Sequence, residues 1–320
     1  MNELPEAARA VLDRGDFCHV AASTPLGPHV TPTVFSVAGG RIWITTSRRS
    51  VKARALRDDP RVAGLVRAGP DEVVFTGEAA AHDVLDPSSW TRSALRAPFV
   101  SVAAVRFTRK NARFFAGYAV DAGHVPLAWT PPGRVFVELA VRRLALLRSG
   151  RPVRTWGEWP RSEVPTGERF RAARAGEPAL ARLPEEVAHA LPGGGAAALA
   201  VLGAEGPVVL PAAWTAQGAA LYAVPTEEAL ALAAPPSAGV PAVALGMDRP
   251  SSWRARHMLG AMVRGPATIH VPRRLTSGTR SALAVASATS VEGEDVAIVR
   301  VRPERFVWWH GWTSGTVIAP

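Results

Sequence analysis

Residues 45–62 read TTSRRSVKARALRDDPRV, a run of hydroxyl and basic side chains that leads into a helix-forming segment closed by Pro60. The pattern predicts a strand that ends in hydroxyl residues, followed by a short helix from Ser50 to Asp58. The first N–H groups of a helix have no partner within the helix, so they attract anions, and hydroxyl and basic side chains add donors and charge. The candidate anion ligands are Thr46, Ser47, Arg48, Ser50 and Lys52. The alternative is an ordinary helix cap formed by Ser47 or Ser50, with the basic side chains in solvent.

The chain repeats itself at an offset of 179 positions. Of the 44 positions from Leu4 to Ser47, eleven are identical to the residue 179 positions later, without a gap. The repeated turn residues are Gly27-Pro28 with Gly206-Pro207, Pro32 with Pro211, and Gly39 with Gly218. Later in the chain the offset between the two copies changes. There Gly77 aligns with Gly265, and Gly150 aligns with Gly311. Because a shared bias in composition does not align glycine and proline at fixed intervals, the pattern predicts a duplicated domain.

Each copy shows the same order of elements. A short helix leads to an apolar strand, a Gly-Pro turn, a second strand and, after a glycine turn, a third strand. Strands dominate and helices are few, which predicts a mainly β fold built from small antiparallel barrels. The expected domains are a first barrel at 1–160 with an insertion at about 86–133, a linker at 161–182, and a second, diverged barrel at 183–320. Within the insertion, Phe99 to Tyr118 is expected to be helical.

The net charge of +10 comes almost entirely from arginine, because Lys52 and Lys110 are the only two lysines. Abundant alanine, arginine, glycine and proline are typical of a GC-rich genome, and no basic run exceeds two residues. We therefore expect no nucleic-acid partner, and we expect Lys110 to be an exposed charge.

The single cysteine, Cys18, excludes an intrachain disulfide and a thiolate metal cluster, and the eight histidines form no zinc motif. We expect no metal site. The N-terminal residues 1–16 hold no apolar signal core, and proline and glycine interrupt the uncharged stretch from Ala229 to Met247. These features predict a cytoplasmic protein without a membrane partner.

The segment from Thr45 to Val62 resembles the pyridoxamine 5′-phosphate oxidase-like superfamily of split barrels. The resemblance rests on the hydroxyl residues that end the strand, on Ser50-x-Lys52, and on Asp59-Pro60-Arg61-Val62. The upstream segment Thr31 to Phe35 and the downstream segment Val74 to Ala79 also resemble strands of this superfamily. An arginine that true pyridoxamine phosphate oxidases carry on the second strand has no match in His29 to Val37, so the vitamin B6 reaction is not expected.

The resemblance implies two tandem split barrels, each six-stranded, antiparallel and of Greek-key type, which together form an intramolecular pseudo-dimer. Members bind flavin (FMN), the deazaflavin F420 or haem, and the flavin lies between two barrels. In relatives, the residues that match Thr46, Ser50 and Lys52 contact the cofactor phosphate. By the same resemblance, the segment formed by Thr31, Pro32, Thr33 and Val34 borders the flavin ring.

The repeat provides an internal control for the phosphate site. A shift of 179 positions places Thr46 on Pro225, Arg48 on Glu227, Ser50 on Ala229 and Lys52 on Ala231. The second copy is therefore not expected to hold a phosphate, and we expect one site per chain. It is instead expected to form the opposite wall, for which the candidates are Arg249, Trp253, Arg254 and Arg256. The alternative for these four residues is a basic turn at the surface.

The function we expect is that of an FMN-dependent oxidoreductase acting on a small molecule, as a monomer with further dimerisation left open. One alternative is an F420-dependent reductase, since an acidic tail would suit Arg48, Arg49 and Arg54. Another is a non-catalytic flavin- or haem-binding protein, with His19, His29 and His310 as possible haem ligands. The aromatic run from Trp308 to Trp312 either stacks on a cofactor ring or belongs to the barrel core.

Overall fold

The computed structural model describes residues 3–83, 85–126, 133–160, 178–191, 193–235, 241–251, 253–271 and 296–319. Within these residues the chain forms two antiparallel sheets, and each sheet closes on itself. The prediction of two six-stranded antiparallel barrels is confirmed. None of the helices in the described parts of the chain is long and apolar enough to span a membrane.

The first barrel follows the helix α1 (Glu6–Arg14). Its strands are β1 (Phe17–Thr24), β2 (Gly27–Ala38), β3 (Arg41–Ser47), β4 (Arg61–Ala68), β5 (Asp71–His82), β6 (Arg134–Arg148) and β7 (Arg151–Trp156). The helix α2 (Val51–Asp58) connects β3 to β4. The strand order is β3-β2-β1-β4-β5-β6-β7, and pairing of β3 with β6 closes the barrel. Side chains alternate across β3, so Ile42 and Ile44 fill the barrel core while Trp43 packs outside it.

The second barrel repeats this topology. Its elements are α6 (Glu185–Ala190), β8 (Gly194–Gly203), β9 (Gly206–Gln217), β10 (Ala220–Val224), α7 (Glu227–Ala233), β11 (Ala242–Arg249), β12 (Leu259–His270), β13 (Ile298–Val301), β14 (Arg305–His310) and β15 (Thr313–Ile318). Pairing of β11 with β12 closes this barrel. Two strands, β13 and β14, stand where the first barrel has the single long strand β6.

The positions of the elements fit the predicted duplication. The strands β2 and β9 begin and end 179 positions apart, as the repeat predicts. Gly77 and Gly265 also occupy equivalent places, because a Cβ on Gly77 would overlap the carbonyl oxygen of Ala140, and a Cβ on Gly265 would overlap that of Arg302. Both glycines are therefore required by the close approach of a neighbouring strand.

The barrels pack against each other with pseudo-two-fold symmetry. Strand β2 contacts β11, and its counterpart β9 contacts β4, the counterpart of β11. Gly27 lies against Ala242, and Gly206 lies in the same way against Arg61. Such reciprocal pairing is the signature of a two-fold interface between like units. One continuous apolar core joins the barrels, with Val30 and Leu65 from the first and Leu199 and Leu245 from the second among its members.

The insertion in the first copy is helical, as predicted. It contains α3 (Pro87–Leu95), α4 (Ala97–Lys110) and α5 (Ala112–Val120). The side chain of Asn111 ties it to the barrel by donating to the Phe35 carbonyl at 3.1 Å. Residues 161–177 of the expected linker lie outside the described residues. Its last residues form a 3₁₀ turn, Ala179–Arg182, and Ala179 and Leu180 are buried in the core of the second barrel.

Candidate functional site

Two hydroxyl groups meet at the start of α2. The Ser50 side chain caps this helix, since its Oγ accepts a hydrogen bond from the Ala53 N–H at 3.0 Å. The Thr46 Oγ1, at the end of β3, lies 2.9 Å from the Ser50 Oγ. The predicted cap is therefore present, and it also brings two of the predicted anion ligands together. Ser47 closes the turn through its carbonyl, which accepts from the Ser50 N–H at 3.0 Å.

Lys52 directs its ammonium group into the protein. Only 4% of the residue is exposed, and its Nζ donates to the carbonyl of Thr31 on β2 at 3.3 Å. Burial lowers the pKa of Lys52 to about 8, while Cys18 raises it and Arg134 lowers it further. A cation held this way, with a neutral carbonyl as its hydrogen-bond partner, favours binding of an anion.

The segment Thr31 to Val34 runs past this ammonium on β2. The Thr33 Oγ1 donates to the carbonyl of Thr45 at 3.2 Å and so links β2 to β3. Pro32 lies opposite His19 in the pairing of β1 with β2. Val34 points to the outside, where it packs with Phe107 and Phe114 of the insertion. The segment therefore has one side on Lys52 and the other on the helical insertion.

Arg48, another predicted anion ligand, is paired with a carboxylate. Its Nε and Nη2 donate to the two carboxylate oxygens of Asp83 at 2.9 and 2.6 Å. The carboxylate of Asp83, which follows β5, neutralises the charge of Arg48 through this bidentate pair. This partner of Arg48 was not predicted from the sequence. By contrast, Arg49 and Arg54 are exposed beside α2.

The candidate wall in the second barrel packs mainly on the insertion. The guanidinium of Arg113 in α5 lies 5.8 Å from the centre of the Trp253 ring. Arg254 and Arg256 both pair with Asp121, which follows α5. The carboxylate of Asp248 instead forms a hydrogen bond across the barrel interface, with its Oδ1 at 2.8 Å from the Nε2 of His19 on β1. This segment thus holds the insertion and the two barrels together.

Two cationic side chains near Lys52 were not identified from the sequence. Arg264 on β12 donates to the Thr24 Oγ1 of the first barrel at 2.9 Å. Its charge and that of Lys52 act on His29, whose pKa is lowered to about 3, mainly by burial. Arg134 begins β6 and donates to the Thr45 Oγ1 at 2.7 Å. Only their positions in the sequence could have indicated these two residues. Arg264 precedes Gly265, one of the glycines that align the two copies, and Arg134 begins the last long strand of the first barrel.

The haem-ligand candidates differ in their surroundings. The Nε2 of His19 is engaged with Asp248, and the Nδ1 of His310 lies 2.9 Å from the Glu186 carboxylate. His29 is buried and neutral. Trp308 and Trp309 pack against the core of the second barrel, whereas Trp312 meets Tyr118 of the insertion with ring centres 5.2 Å apart. In the described residues no three or more His, Cys, Asp or Glu side chains cluster in a way that could hold a metal ion.

The second copy has a helix cap without the cationic side chain. Thr226 caps α7 by accepting from the Ala229 N–H at 3.1 Å, as Ser50 caps α2. The two caps are 176 positions apart, because the connection before α7 is shorter than the one before α2. The counterpart of Lys52 is therefore Glu228 rather than Ala231, and the second cap carries a carboxylate where the first carries an ammonium.

The first copy matches a known family over most of the elements just described. A model of the family described as pyridoxamine 5′-phosphate oxidase matches residues 5–106, from α1 into α4. The first barrel is similar to this oxidase family from α1 to β5, and the second barrel lies outside the match. The match includes the hydroxyl pair, Lys52 and the Thr31–Val34 segment of this oxidase-like barrel.

Solved structures similar to the oxidase-like barrel come from several bacteria. A conserved hypothetical protein of Mycobacterium tuberculosis is 25% identical, with 45% of this chain and 85% of that chain covered and a TM-score of 0.31. A pyridoxamine 5′-phosphate oxidase-related, FMN-binding protein of Nostoc punctiforme is 17% identical, with 46% and 87% covered and a TM-score of 0.34. A heme binding protein of Mycobacterium smegmatis is 16% identical, with 48% and 59% covered and a TM-score of 0.33. A search of curated proteins found no match.

Proposed function

We propose that this protein binds one FMN per chain between its barrels and acts as a flavin-dependent oxidoreductase. The phosphate would lie at the start of α2, where the hydroxyls of Thr46 and Ser50 and the ammonium of Lys52 would donate to its oxygens. The observation that carries this proposal is the buried Lys52, two residues after a helix cap whose two hydroxyl groups lie 2.9 Å apart, in a barrel similar to this family.

The electrostatics of the site support an anionic ligand. Burial of an ammonium is unfavourable unless an opposite charge or several hydrogen bonds compensate it. The groups that act on the Lys52 charge are a thiol and a second cation, Arg134, and no carboxylate in the described part of the chain pairs with it. A phosphate at this position would provide the missing negative charge. The N–H groups at the start of α2 would add donors of the kind that anions favour.

The position of the flavin ring follows from the same geometry. From a phosphate at α2, the ring would extend along Thr31–Val34 towards the second barrel, from which Arg264 reaches the first barrel at Thr24. Trp253 and Arg256, held by the insertion, would border the outer edge of the site rather than contact the phosphate. The second copy, with Glu228 at the matching place, would hold no cofactor of its own.

A bound flavin would supply the redox chemistry, since it accepts and donates a hydride or single electrons. The chain's own side chains would bind and orient it and keep water from one face. Cys18 is fully buried, and burial raises the pKa of its thiol to about 12, so it would not react as a thiolate.

The arrangement of Arg49 and Arg54 favours a second candidate cofactor. Both side chains are exposed beside α2, and both could reach an acidic tail that extends from a phosphate at Ser50. F420 carries such a tail, and FMN does not. Absorbance spectroscopy of the purified protein, followed by mass spectrometry of the released compound, separates FMN from F420. A Soret band would instead identify haem and contradict the proposal.

The decisive variant is Lys52→Met. Loss of a charged partner from a largely desolvated site costs about 2–5 kcal/mol, so FMN affinity should fall by at least about tenfold. Titration of apo-protein with FMN by fluorescence quenching measures this change. Arg57→Ala is the control, because it removes an exposed positive charge from the same helix and should change affinity little.

Lys110, the other lysine, is not the exposed charge that the sequence led us to expect. Its Nζ donates to the Leu12 carbonyl at 2.7 Å and lies 3.5 Å from the centre of the Phe35 ring. Equal losses in Lys52→Met and Arg57→Ala would show that the general positive field attracts FMN, and unchanged affinity in Lys52→Met would reject the site. Bleaching of the bound flavin by a nicotinamide donor, followed by reoxidation with a substrate, would distinguish an enzyme from a carrier.

A further inference from the structure

A cavity of about 620 Å³ lies between the helical insertion and the outer face of the first barrel. Phe107, Phe114 and Phe115 from the insertion form one wall, together with Tyr118. Val34, Thr45 and Phe136, from β2, β3 and β6, form the other. Pockets of about 300–1,000 Å³ with mainly apolar walls and a few polar groups are typical of small-molecule sites. Protein interiors are otherwise packed without voids of this size, so the cavity is a candidate ligand site.

One charge is present in this apolar chamber. Of the described residues that line the cavity, Arg134 alone is charged. The Arg134 side chain is oriented by Thr45, since its Nε and Nη2 donate to the Thr45 Oγ1 at 3.1 and 2.7 Å. A guanidinium remains protonated at any pH at which proteins are folded, so it is a fixed cation. Burial raises the pKa of Tyr118 to about 12, which keeps its phenol neutral and able to donate a hydrogen bond.

The cavity adjoins the proposed flavin site. Val34 ends the segment that would border the flavin ring, and its side chain points into the cavity wall. Thr45 is the neighbour of Thr46, and adjacent residues of a strand point to opposite faces. The charge of Arg134 is close enough to Lys52 to lower the pKa of that lysine. A ligand in the cavity would therefore lie beside a flavin rather than at its phosphate.

We propose that this cavity binds the substrate, and that the substrate is an aromatic monocarboxylate with its ring among the phenylalanines and its carboxylate on Arg134. The role of this carboxylate as a substrate rests on the proposed flavin site, whereas its binding to the cavity does not. A single fixed cation matches one negative charge, and planar aromatic walls favour a planar aromatic ligand over a flexible polar one.

The test measures binding of 2-naphthoate and of its neutral analogue 2-naphthamide to the full chain by calorimetry, with and without FMN. Arg134→Met should lower the affinity for naphthoate by at least about tenfold and change that for the amide less than about threefold. Ala104→Trp places a large side chain at the exposed rim of the cavity and should lower both affinities by about tenfold or more. Arg109→Ala, which removes an exposed charge from α4, should leave both unchanged.

Several outcomes would overturn the proposal. These are no binding of naphthoate to the wild type, equal losses in Arg134→Met and Arg109→Ala, and displacement of naphthoate by FMN, which would place the flavin ring in the cavity. Because Ala104→Trp leaves Arg134 in place, it tests the cavity even if Arg134→Met fails to fold. Binding of naphthoate that depends on Arg134, in a protein that takes up no flavin, would retain the ligand site and reject the flavin function.

Discussion

For single residues, the proposed role of Lys52 predicts that FMN affinity depends on pH. The pKa of Lys52 in the apo-protein is lowered to about 8 by burial, so its ammonium loses its proton as the pH rises through that value. If the ammonium binds the phosphate, affinity is full below this pKa and falls above it. We therefore expect FMN affinity to decrease between about pH 7 and pH 9, by up to about tenfold per pH unit above the pKa.

Fluorescence titration at a series of pH values measures this dependence. In Lys52→Met the affinity should be low and nearly independent of pH over the same range, because the titrating group is absent. A wild-type profile as flat as that of the variant would mean that the phosphate contacts other donors.

Lys52 also illustrates what a local pattern can and cannot predict. The local pattern indicated the helix cap and the meeting of Thr46 with Ser50, because a strand end, a cap and a helix start are adjacent in the chain. The partner of Arg48 could not be predicted, since Asp83 lies 35 positions away and meets it only when β5 closes beside α2. Arg134, 89 positions from Thr45, was missed for the same reason.

At the scale of elements, the two capped helices form a matched pair for mutation. Ser50→Ala and Thr226→Ala each remove the side chain that caps a helix of similar length, at a cost of about 1 kcal/mol of stability. Only Ser50 lies beside Lys52 and Thr46. We expect both variants to lose similar stability in urea unfolding, but only Ser50→Ala to bind FMN more weakly. An equal loss of FMN affinity in Thr226→Ala would indicate a second cofactor site or an indirect effect.

The glycines at the crowded strand crossings allow a second comparison. Gly77→Ala and Gly265→Ala each place a Cβ on a backbone carbonyl that has no room to move away. We expect each to destabilise its barrel by about 2 kcal/mol or more, because the strands must separate. Gly193→Ala, where no atom lies within 4 Å of the added Cβ, should be close to neutral. Thermal and urea unfolding measure the difference, and a stable Gly265→Ala would mean that the two strands are not closely packed.

The strands and turns of both copies could be predicted because their signals are local. Gly-Pro and glycine turns mark the hairpins, and alternating side chains mark the strands between them. The split of the last long strand into β13 and β14 has a local signal that was not used in the prediction, because Pro303 lies between them and proline disfavours the interior of a strand. The repeat offset of 179 places the start of α7 three residues too late. An insertion or deletion between two aligned segments leaves no mark of its exact position in the sequence.

At the scale of the whole molecule, the reciprocal packing of the barrels predicts a stoichiometry. Strand β2, which carries the Lys52 partner Thr31, packs on the second barrel of the same chain, and the position that matches Lys52 in that barrel carries Glu228. We therefore expect one FMN per chain, bound by a monomer. Sedimentation of the flavin-loaded protein, together with titration to saturation, measures both quantities. Two FMN per chain would contradict the single site, and binding confined to a dimer would contradict the internal pseudo-dimer.

The described residues of the second barrel contain no counterpart of α3 to α5, and this asymmetry has an evolutionary consequence. In a dimer of identical subunits, every added segment and every substitution occurs twice, once on each side of the symmetry axis. Fusion of two copies in one gene removes that constraint, so a half without a cofactor phosphate would be free to change as a scaffold. Selection can then act on each wall of a single binding site independently, in a way that a symmetric ancestor could not permit.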